Sequence, residues 1–166
     1  LLWRNPALIA AAATPADSRP ADAQRFATAL TTGLGLAPDL LMPGWEDPLT
    51  HLSPEKARRA PGGEHPAGYV LSLGNAGTGW LNSPWPLPST NNQLILINGD
   101  SSIGYRLPLS VLPETLPGGG KLVRTALCVE VRPGRVHLFL PPFETIKPFI
   151  ALPAAIERVA VQLDLR

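Results

Sequence analysis

A short polar segment near the middle of the chain carries the residues best suited to binding a small molecule. Asp100 and Ser101 follow the apolar run of residues 93–97, and Arg106 comes soon after them. The Asp and Ser side chains can form hydrogen bonds, and the planar guanidinium group of Arg106 can bind a carboxylate or a phosphate. Asp and Ser in turns also commonly bond to their own backbone. The pattern favours this turn role and leaves a polar site at the end of a strand as the alternative.

Two tryptophans in another turn segment, Trp80 and Trp85, could contact a ligand as well. The surrounding residues 77–86 contain glycines and prolines, which predict a turn. Tryptophans at such a turn either close over the edge of a core or stack against a flat ligand, and the first role is favoured. The glycines lack the spacing of a phosphate-binding loop, and no helix pattern follows them. A nucleotide site is therefore not expected in this segment.

Arg124 and Glu130 form a third group of charged residues, within a predicted strand. They lie an even number of residues apart, so they are expected on one face of that strand. Pairing across the sheet is the favoured interpretation. The alternative is a ligase-type carboxylate and phosphate site that also includes Asp100 and Arg106.

Cysteine and histidine chemistry has little support in the sequence. The single cysteine, Cys128, excludes an internal disulfide and a cysteine-based zinc site. It lies in an apolar strand pattern, which favours packing over a nucleophilic role. His137 alternates with apolar neighbours, as a strand histidine with a structural partner does. No Ser-His-Asp arrangement can be assembled, and no metal site is expected.

Charge and hydropathy exclude two classes of partner. The net charge is +1 and the 14 Lys and Arg residues are scattered, whereas nucleic-acid-binding proteins usually cluster them. No apolar run reaches the roughly 18 residues of a membrane span, and no signal-peptide pattern is visible. We therefore expect neither nucleic acid nor membrane as a partner, and a cytoplasmic location.

The hydrophobic periodicity predicts an α+β fold with a mainly antiparallel sheet. Pro133-Gly134 is a turn signal inside a β-hairpin, although a type II turn suits a two-residue hairpin poorly, so a bulge or a looser connection is expected. The hairpin is expected to bury Leu127, Val129, Val136, Leu138 and Leu140. The predicted elements are helices over residues 21–32 and 145–163, strands over 68–73 and 93–97, and the hairpin over 124–140.

Residues 37–66 form a long proline-rich stretch that we predict to be a loop. Long loops in compact domains are usually functional, disordered or pressed against a partner. The charged fraction of the chain is 16%, below the roughly 25% of typical domains. We expect a single domain over residues 1–166, cut from a larger protein. An apolar patch beside the C-terminal helix, involving some of Phe143, Phe149 and Ile150, is expected to contact a neighbouring domain and to cause self-association of the isolated chain.

Seven sequence blocks together resemble one protein family. They resemble, in order, an internal stretch of the very large bacterial proteins that join a transglutaminase-like domain to a putative amidoligase region. The chain departs from that pattern between Leu52 and Pro66, where it is shorter, and at Ser102, where the family usually has Pro. The blocks are Leu2–Ile9, Ala21–Ala27, Glu46–Leu49, Gly68–Leu71, Gly79-Trp80 with Ser83–Trp85, Gly99–Ser101 with Gly104–Leu109, and Arg124–Glu130.

The resemblance implies a multidomain parent in which this segment lies between the catalytic regions. No catalytic residue of the family can therefore be carried over to it position by position. We expect a non-catalytic domain that has a structural role or positions a peptide or amino-acid substrate, with Trp80, Trp85, Asp100, Ser101 and Arg106 as the candidate binding residues. Its partners would be the neighbouring domains of the parent. No cofactor is expected for the segment, whereas the resemblance allows ATP and Mg²⁺ for the parent. The alternative remains an enzyme domain with the ligase-type site described above.

Overall fold

Two amphipathic helices cover one face of a five-stranded sheet. The structure is a computed structural model, and it describes residues 17–47, 65–77, 79–87 and 93–165. The combination of helices and a mostly antiparallel sheet confirms the predicted α+β class. The elements are α1 (Pro20–Gly33), β1 (Leu41–Trp45), β2 (Gly68–Ser72), β3 (Gly74–Asn75), β4 (Trp80–Leu81), β5 (Leu94–Ile95), β6 (Ala126–Arg132), β7 (Arg135–Phe139) and α2 (Ile146–Gln162).

Helix α1 begins and ends where its sequence signals predict. Pro20 occupies the first turn, where its missing N–H costs no hydrogen bond. The carboxylate of Asp22 accepts a hydrogen bond from the backbone N–H of Arg19 at 2.8 Å, which satisfies one free donor at the helix start. The helix buries Phe26 and Leu30 against the sheet. These observations confirm the helix predicted over residues 21–32.

Helix α2 confirms the helix predicted over residues 145–163. Its buried side includes Leu152, Ala155 and Val159, at helical spacing. The helix continues through Pro153. Pro153 lacks the N–H that would bond to the carbonyl of Phe149, and both residues lie on the exposed side, where water can reach the free carbonyl. None of the helices in the described ranges is long and apolar enough to cross a bilayer.

The sheet has the strand order β5-β1-β2-β6-β7. All neighbours are antiparallel except β1 and β5, which run parallel. Strand β2 lies at the centre, and all five of its residues are buried. Tyr69 and Leu71 face the helices, whereas Val70 faces the opposite side, as the alternation in the sequence predicts. A side chain at Gly68 would meet the carbonyl oxygen of Val129 at 2.5 Å, so only glycine fits where β2 begins.

The second face of the sheet is covered by coil and short turns. This layer comes from residues 94–122 and includes one-turn 3₁₀ helices at Ile103–Tyr105 and Leu109–Val111. It forms a second hydrophobic core with the outward side chains of the sheet. The buried members are Val70, Trp85, Leu94, Leu96, Ile103, Leu107, Leu112, Leu122 and Cys128.

The β6–β7 hairpin is tighter than predicted. Arg132 pairs with Arg135, so the connection consists of Pro133 and Gly134 alone, and the register continues without a bulge to Cys128 and Phe139. Gly134 has φ +69°, the conformation that the third position of a type II turn requires. The expectation of a bulge or a looser connection is therefore wrong. Leu140 lies beyond the strand and is 38% exposed, so its predicted place in the core is also wrong.

Two further predictions need correction. Strand β1 lies inside residues 37–66, which were predicted to be a loop; residues 48–64 of that stretch lie outside the described ranges. Pro43 is tolerated in β1 because β5 pairs only with Gly44 and Trp45, so the strand has one neighbour at the proline. The strand predicted over residues 93–97 shrinks to Leu94–Ile95 at the sheet edge.

Candidate functional site

The predicted polar segment forms a closed loop at the end of β5. We call residues 97–106 the polar loop. Two hydrogen bonds join its first residue, Ile97, to its last residue, Arg106. The backbone N–H of Ile97 donates to the carbonyl of Arg106 at 2.7 Å. The Nε of Arg106 donates back to the carbonyl of Ile97, also at 2.7 Å. The side chain of Arg106 thus closes the loop that it terminates.

An ion pair with the residue that follows β1 fixes the base of the polar loop. The two terminal nitrogens of Arg106 donate to the two carboxylate oxygens of Glu46, the first at 3.0 Å. Arg106 is only 5% exposed. The sequence offered this guanidinium group as an alternative binding site for a carboxylate or a phosphate of a ligand; in the structure it binds a carboxylate of the same chain.

A second ion pair holds the middle of the polar loop. Glu130 on β6 is 4% exposed and accepts a hydrogen bond from Arg132 Nε at 2.5 Å. Its other oxygen accepts the backbone N–H of Ile103 at 3.3 Å. Arg132 also donates to the backbone carbonyl of Asp100 at 3.1 Å. Glu130 and Arg132 lie two residues apart, so they share one face of the strand, and both bind backbone groups of the polar loop.

The side chains of Asp100 and Ser101 remain exposed at the tip of the polar loop. Within the described part of the chain neither side chain forms a hydrogen bond, so the favoured turn role of these side chains is wrong. The loop is shaped by its backbone contacts with Glu130 and Arg132 instead. Asp100 and Ser101 are therefore free to meet another molecule.

Arg124 does not join this network. It precedes β6, is exposed, and donates to the carbonyl of Leu109 at 2.7 Å. The predicted pairing across the sheet is wrong for both residues, because β6 begins only at Ala126 and Glu130 forms its ion pair with Arg132 of its own strand. Of the four residues of the alternative ligase-type site, Arg106, Arg124 and Glu130 each have a different partner within the chain.

The two tryptophans serve the packing of the chain. Trp85 is 2% exposed, belongs to the second core, and donates its indole N–H to the carbonyl of Val123 at 2.7 Å. Trp80 packs against Phe143 with a centroid separation of 5.7 Å and a tilt of 59°. The favoured interpretation, in which they cover the edge of a core, agrees with these contacts.

Cys128 packs as a small apolar residue, as predicted. It is buried in the second core and two residues from Glu130 on the same strand. Burial, with the nearby negative charge of Glu130 as a smaller cause, raises the pKa of the thiol to about 12. The reactive thiolate is therefore not formed near neutral pH.

A shallow groove of about 440 Å³ lies on the helical side of the sheet, between α1, β1 and β2. Its lining includes Trp45, His65 and Tyr69, and burial raises the pKa of Tyr69 above its ordinary value of 10.0. The indole N–H of Trp45 is buried and has no hydrogen-bond partner within the described ranges. Glu46, the next residue, reaches the other side of the sheet and the polar loop.

Two residues that support the site were not recognised as such from the sequence. No local sequence pattern connects Glu46 with Arg106, since sixty positions separate them. Arg132 could have been found, because opposite charges at i and i+2 of a predicted strand share one face. Among the described residues there is no group of three His, Cys, Asp or Glu side chains that could hold a metal ion.

A protein-family model matches this region of the chain. The family is described as "Putative amidoligase enzyme (DUF2126)", and the matches cover residues 58–119 and 115–166. They include the polar loop, β6 and β7, whereas Glu46 precedes them. No curated protein and no solved structure matches the chain. Because the family matches span more than half of the sequence, the chain belongs to the DUF2126 family of putative amidoligase enzymes.

Proposed function

We propose that this chain is a non-catalytic domain that positions a substrate for a transglutaminase-like amidoligase protein. The observation that carries the proposal is that the charged residues around the polar loop are already bound to partners within the chain. Arg106 binds Glu46, and Glu130 binds Arg132 and the backbone of Ile103. These groups are used to hold the loop in shape, and this use favours a supporting role over a reacting one.

The exposed tip of the loop indicates which part of a substrate it would bind. Asp100 offers a carboxylate and Ser101 a hydroxyl oxygen, and both are exposed. Carboxylate and hydroxyl oxygens accept the hydrogen bonds that an ammonium group donates. A peptide or amino acid with a free amino group is therefore the substrate class we propose. The two tryptophans, engaged in packing, have no part in it.

The remaining chemistry is assigned to the neighbouring domains of the parent protein. These domains are the partners we propose, and any ATP and Mg²⁺ would be bound there rather than by the described residues. A cytoplasmic parent would meet ATP and free amino acids in the same compartment. The alternative, a ligase-type site made of Asp100, Arg106, Arg124 and Glu130, would require the two arginines and Glu130 to exchange their present partners.

Binding of a free amino group by the purified chain tests the positioning role. The probe is the dipeptide Gly-Gly, compared with its N-acetylated form, in a two-dimensional amide NMR titration. We expect Gly-Gly to shift the resonances of residues 99–102 and the acetylated form to leave them unchanged. Asp100→Asn should remove the shifts. Asp39→Asn, in the exposed turn at Pro38–Leu40, is the matched control and should retain them.

An assay of ATP hydrolysis with Mg²⁺, a carboxylate and Gly-Gly separates the two functions. We expect no turnover above the protein-free rate. Turnover that disappears in Asp100→Ala would reject the proposal and establish the ligase-type alternative. Absence of any Gly-Gly shift would reject substrate positioning by this loop.

A further inference from the structure

The indole N–H of Trp45 is a buried donor that the described part of the chain leaves without an acceptor. No other buried side-chain nitrogen or oxygen in that part lacks a hydrogen-bond partner. Trp85, by contrast, donates its indole N–H to the carbonyl of Val123 at 2.7 Å. An unpaired buried donor destabilises a fold, so native proteins rarely keep one without a role for it. Because an indole nitrogen can only donate, the missing partner is a hydrogen-bond acceptor.

Trp45 lines the groove of about 440 Å³ between α1, β1 and β2, together with other polar side chains. These are Gln24, Thr28, His65 and Tyr69. None of their side chains forms a hydrogen bond within the described ranges. None of the residues that line the groove is Asp, Glu, Lys or Arg. A matching ligand is therefore neutral and presents acceptors to these side chains.

Aromatic and proline rings form the apolar part of the groove. Pro38, Pro43 and Pro66 line it with the rings of Trp45 and Tyr69. Sites for small molecules usually enclose most of the ligand surface, which a shallow groove does not do. An extended polypeptide can instead lie along such a groove and place its side chains against the rings. The shape of the groove therefore favours a peptide over a small molecule.

We propose that the groove binds a neutral, proline-rich segment of another polypeptide, with a backbone carbonyl of that segment accepting the indole N–H of Trp45. Such a segment adopts the polyproline II conformation, which has no internal hydrogen bonds, so its carbonyls are free to accept. Proline has no backbone N–H, so the segment brings acceptors without donors that would need partners of their own. The segment is extended before it binds, so binding costs little conformational entropy.

Another polypeptide suits the groove better than the chain's own neighbouring residues do. Residues 48–64 follow β1 directly but carry five charged side chains, which an uncharged groove does not match: Glu55, Lys56, Arg58, Arg59 and Glu64. The acceptor reaches the indole N–H when the coil at His65 and Pro66 moves outward. These two residues belong to no helix or strand, so the movement breaks no ladder of hydrogen bonds.

A two-dimensional NMR titration with acetylated and amidated octaproline tests the proposal. The indole N–H proton of Trp45 should shift downfield as it gains an acceptor, and the amides of His65 and Ala67 should shift with it. The indole N–H of Trp85, already bonded to Val123, should stay in place. A neutral Gly-Ser repeat of the same length, which is a flexible coil, should leave the Trp45 resonance unchanged. Residues 99–102 lie at the other face of the sheet and should not respond to octaproline.

A matched pair of variants isolates the indole N–H. Trp45→Phe keeps an aromatic ring in the groove and removes the donor, so it should raise the dissociation constant for octaproline about tenfold. Trp80→Phe makes the same change outside the groove, where Trp80 packs against Phe143, and should bind like the wild type. Circular dichroism melting verifies that both variants fold.

Three results would overturn the proposal. The first is a Trp45 indole resonance that octaproline does not move, or a Trp45→Phe variant that binds octaproline like the wild type. The second is an equal response to the Gly-Ser repeat, which would remove the preference for polyproline II. The third is nuclear Overhauser contacts between the Trp45 indole and residues 48–64 in the free chain, which would show that the chain fills its own groove.

Discussion

Arg106 shows how a residue suited to substrate binding can serve the structure instead. The sequence offered Arg106, as the less favoured alternative, to a carboxylate or phosphate of a ligand, whereas its guanidinium group binds the carboxylate of Glu46. The partner could not be predicted, because Glu46 reaches it only through the pairing of β1 with β5, far apart in the chain. The same limit applies to Glu130, whose strand was predicted while its contact with Ile103 was not. Local patterns thus identified the chemistry of single residues but not their partners.

The Glu46–Arg106 ion pair should contribute measurably to stability. Glu46→Gln keeps the shape of the side chain and removes its charge, which leaves the buried guanidinium group without a counter-ion. We expect a loss of about 1–3 kcal/mol in the free energy of unfolding. Urea titration measures this loss, with Glu114→Gln on the exposed surface as the control. Equal stability of the two variants would contradict the structural role of the pair.

Cys128 should make the stability of the chain fall at alkaline pH. The unfolded thiol ionises near its ordinary pKa of 9.0, whereas the folded thiol remains protonated up to about 12. The unfolded state therefore releases a proton first, so the contribution of the thiol is complete below pH 9 and is lost as the pH rises toward 12. We expect a loss of about 1 kcal/mol between pH 8 and pH 10.

Urea titrations of the wild type and of Cys128→Ala at both pH values test this expectation. The variant loses some stability at either pH because it leaves a cavity, but it lacks the ionising thiol. Its free energy of unfolding should therefore depend less on pH than that of the wild type. Identical pH dependence in the two proteins would show that the thiol makes no such contribution.

At the scale of elements, the sequence predicted what periodicity and turn chemistry determine. Both helices and the β6–β7 hairpin were located within a few residues, because apolar spacing and Pro or Gly signals mark them. Strand β1 was missed since its sequence, Leu41–Trp45, contains a proline and a glycine and is typical of a loop. It is a strand because it pairs with β2 and β5. Pairing between distant segments cannot be recognised from the local sequence.

Leu138 on β7 should contribute to the helical core. It lies opposite Val129 in the hairpin and packs, partly buried, against the core beneath α1 and α2. Core truncations of Leu to Ala cost about 2–5 kcal/mol, and partial burial places Leu138→Ala at the lower end, about 2 kcal/mol. Thermal melting measures the effect. A shift no larger than that of Val111→Ala, at an exposed position, would contradict this packing.

For the whole molecule, the α+β class could be predicted but the layer over the second face could not. Residues 94–122 cover that face with coil and single turns, which have no hydrophobic period to detect. Their buried leucines and isoleucine are spaced irregularly along the chain. The predicted single domain over residues 1–166 stays a prediction, and the resemblance block at Leu2–Ile9 lies outside the described ranges.

The two-residue turn between β6 and β7 has a consequence for the order in which the sheet assembles. The other pairings in the five-stranded sheet join distant segments, such as Leu41 with Leu71, Val70 with Cys128, and Gly44 with Leu94. Closing long loops costs entropy before any contact forms, so the hairpin can nucleate first and the remaining strands add to it slowly. Gly134→Ala, which strains a residue at φ +69°, should then slow refolding while leaving the unfolding rate nearly unchanged. Stopped-flow measurements of the refolding and unfolding rates over a range of denaturant concentrations test this. Faster unfolding with an unchanged refolding rate would show that the hairpin closes late.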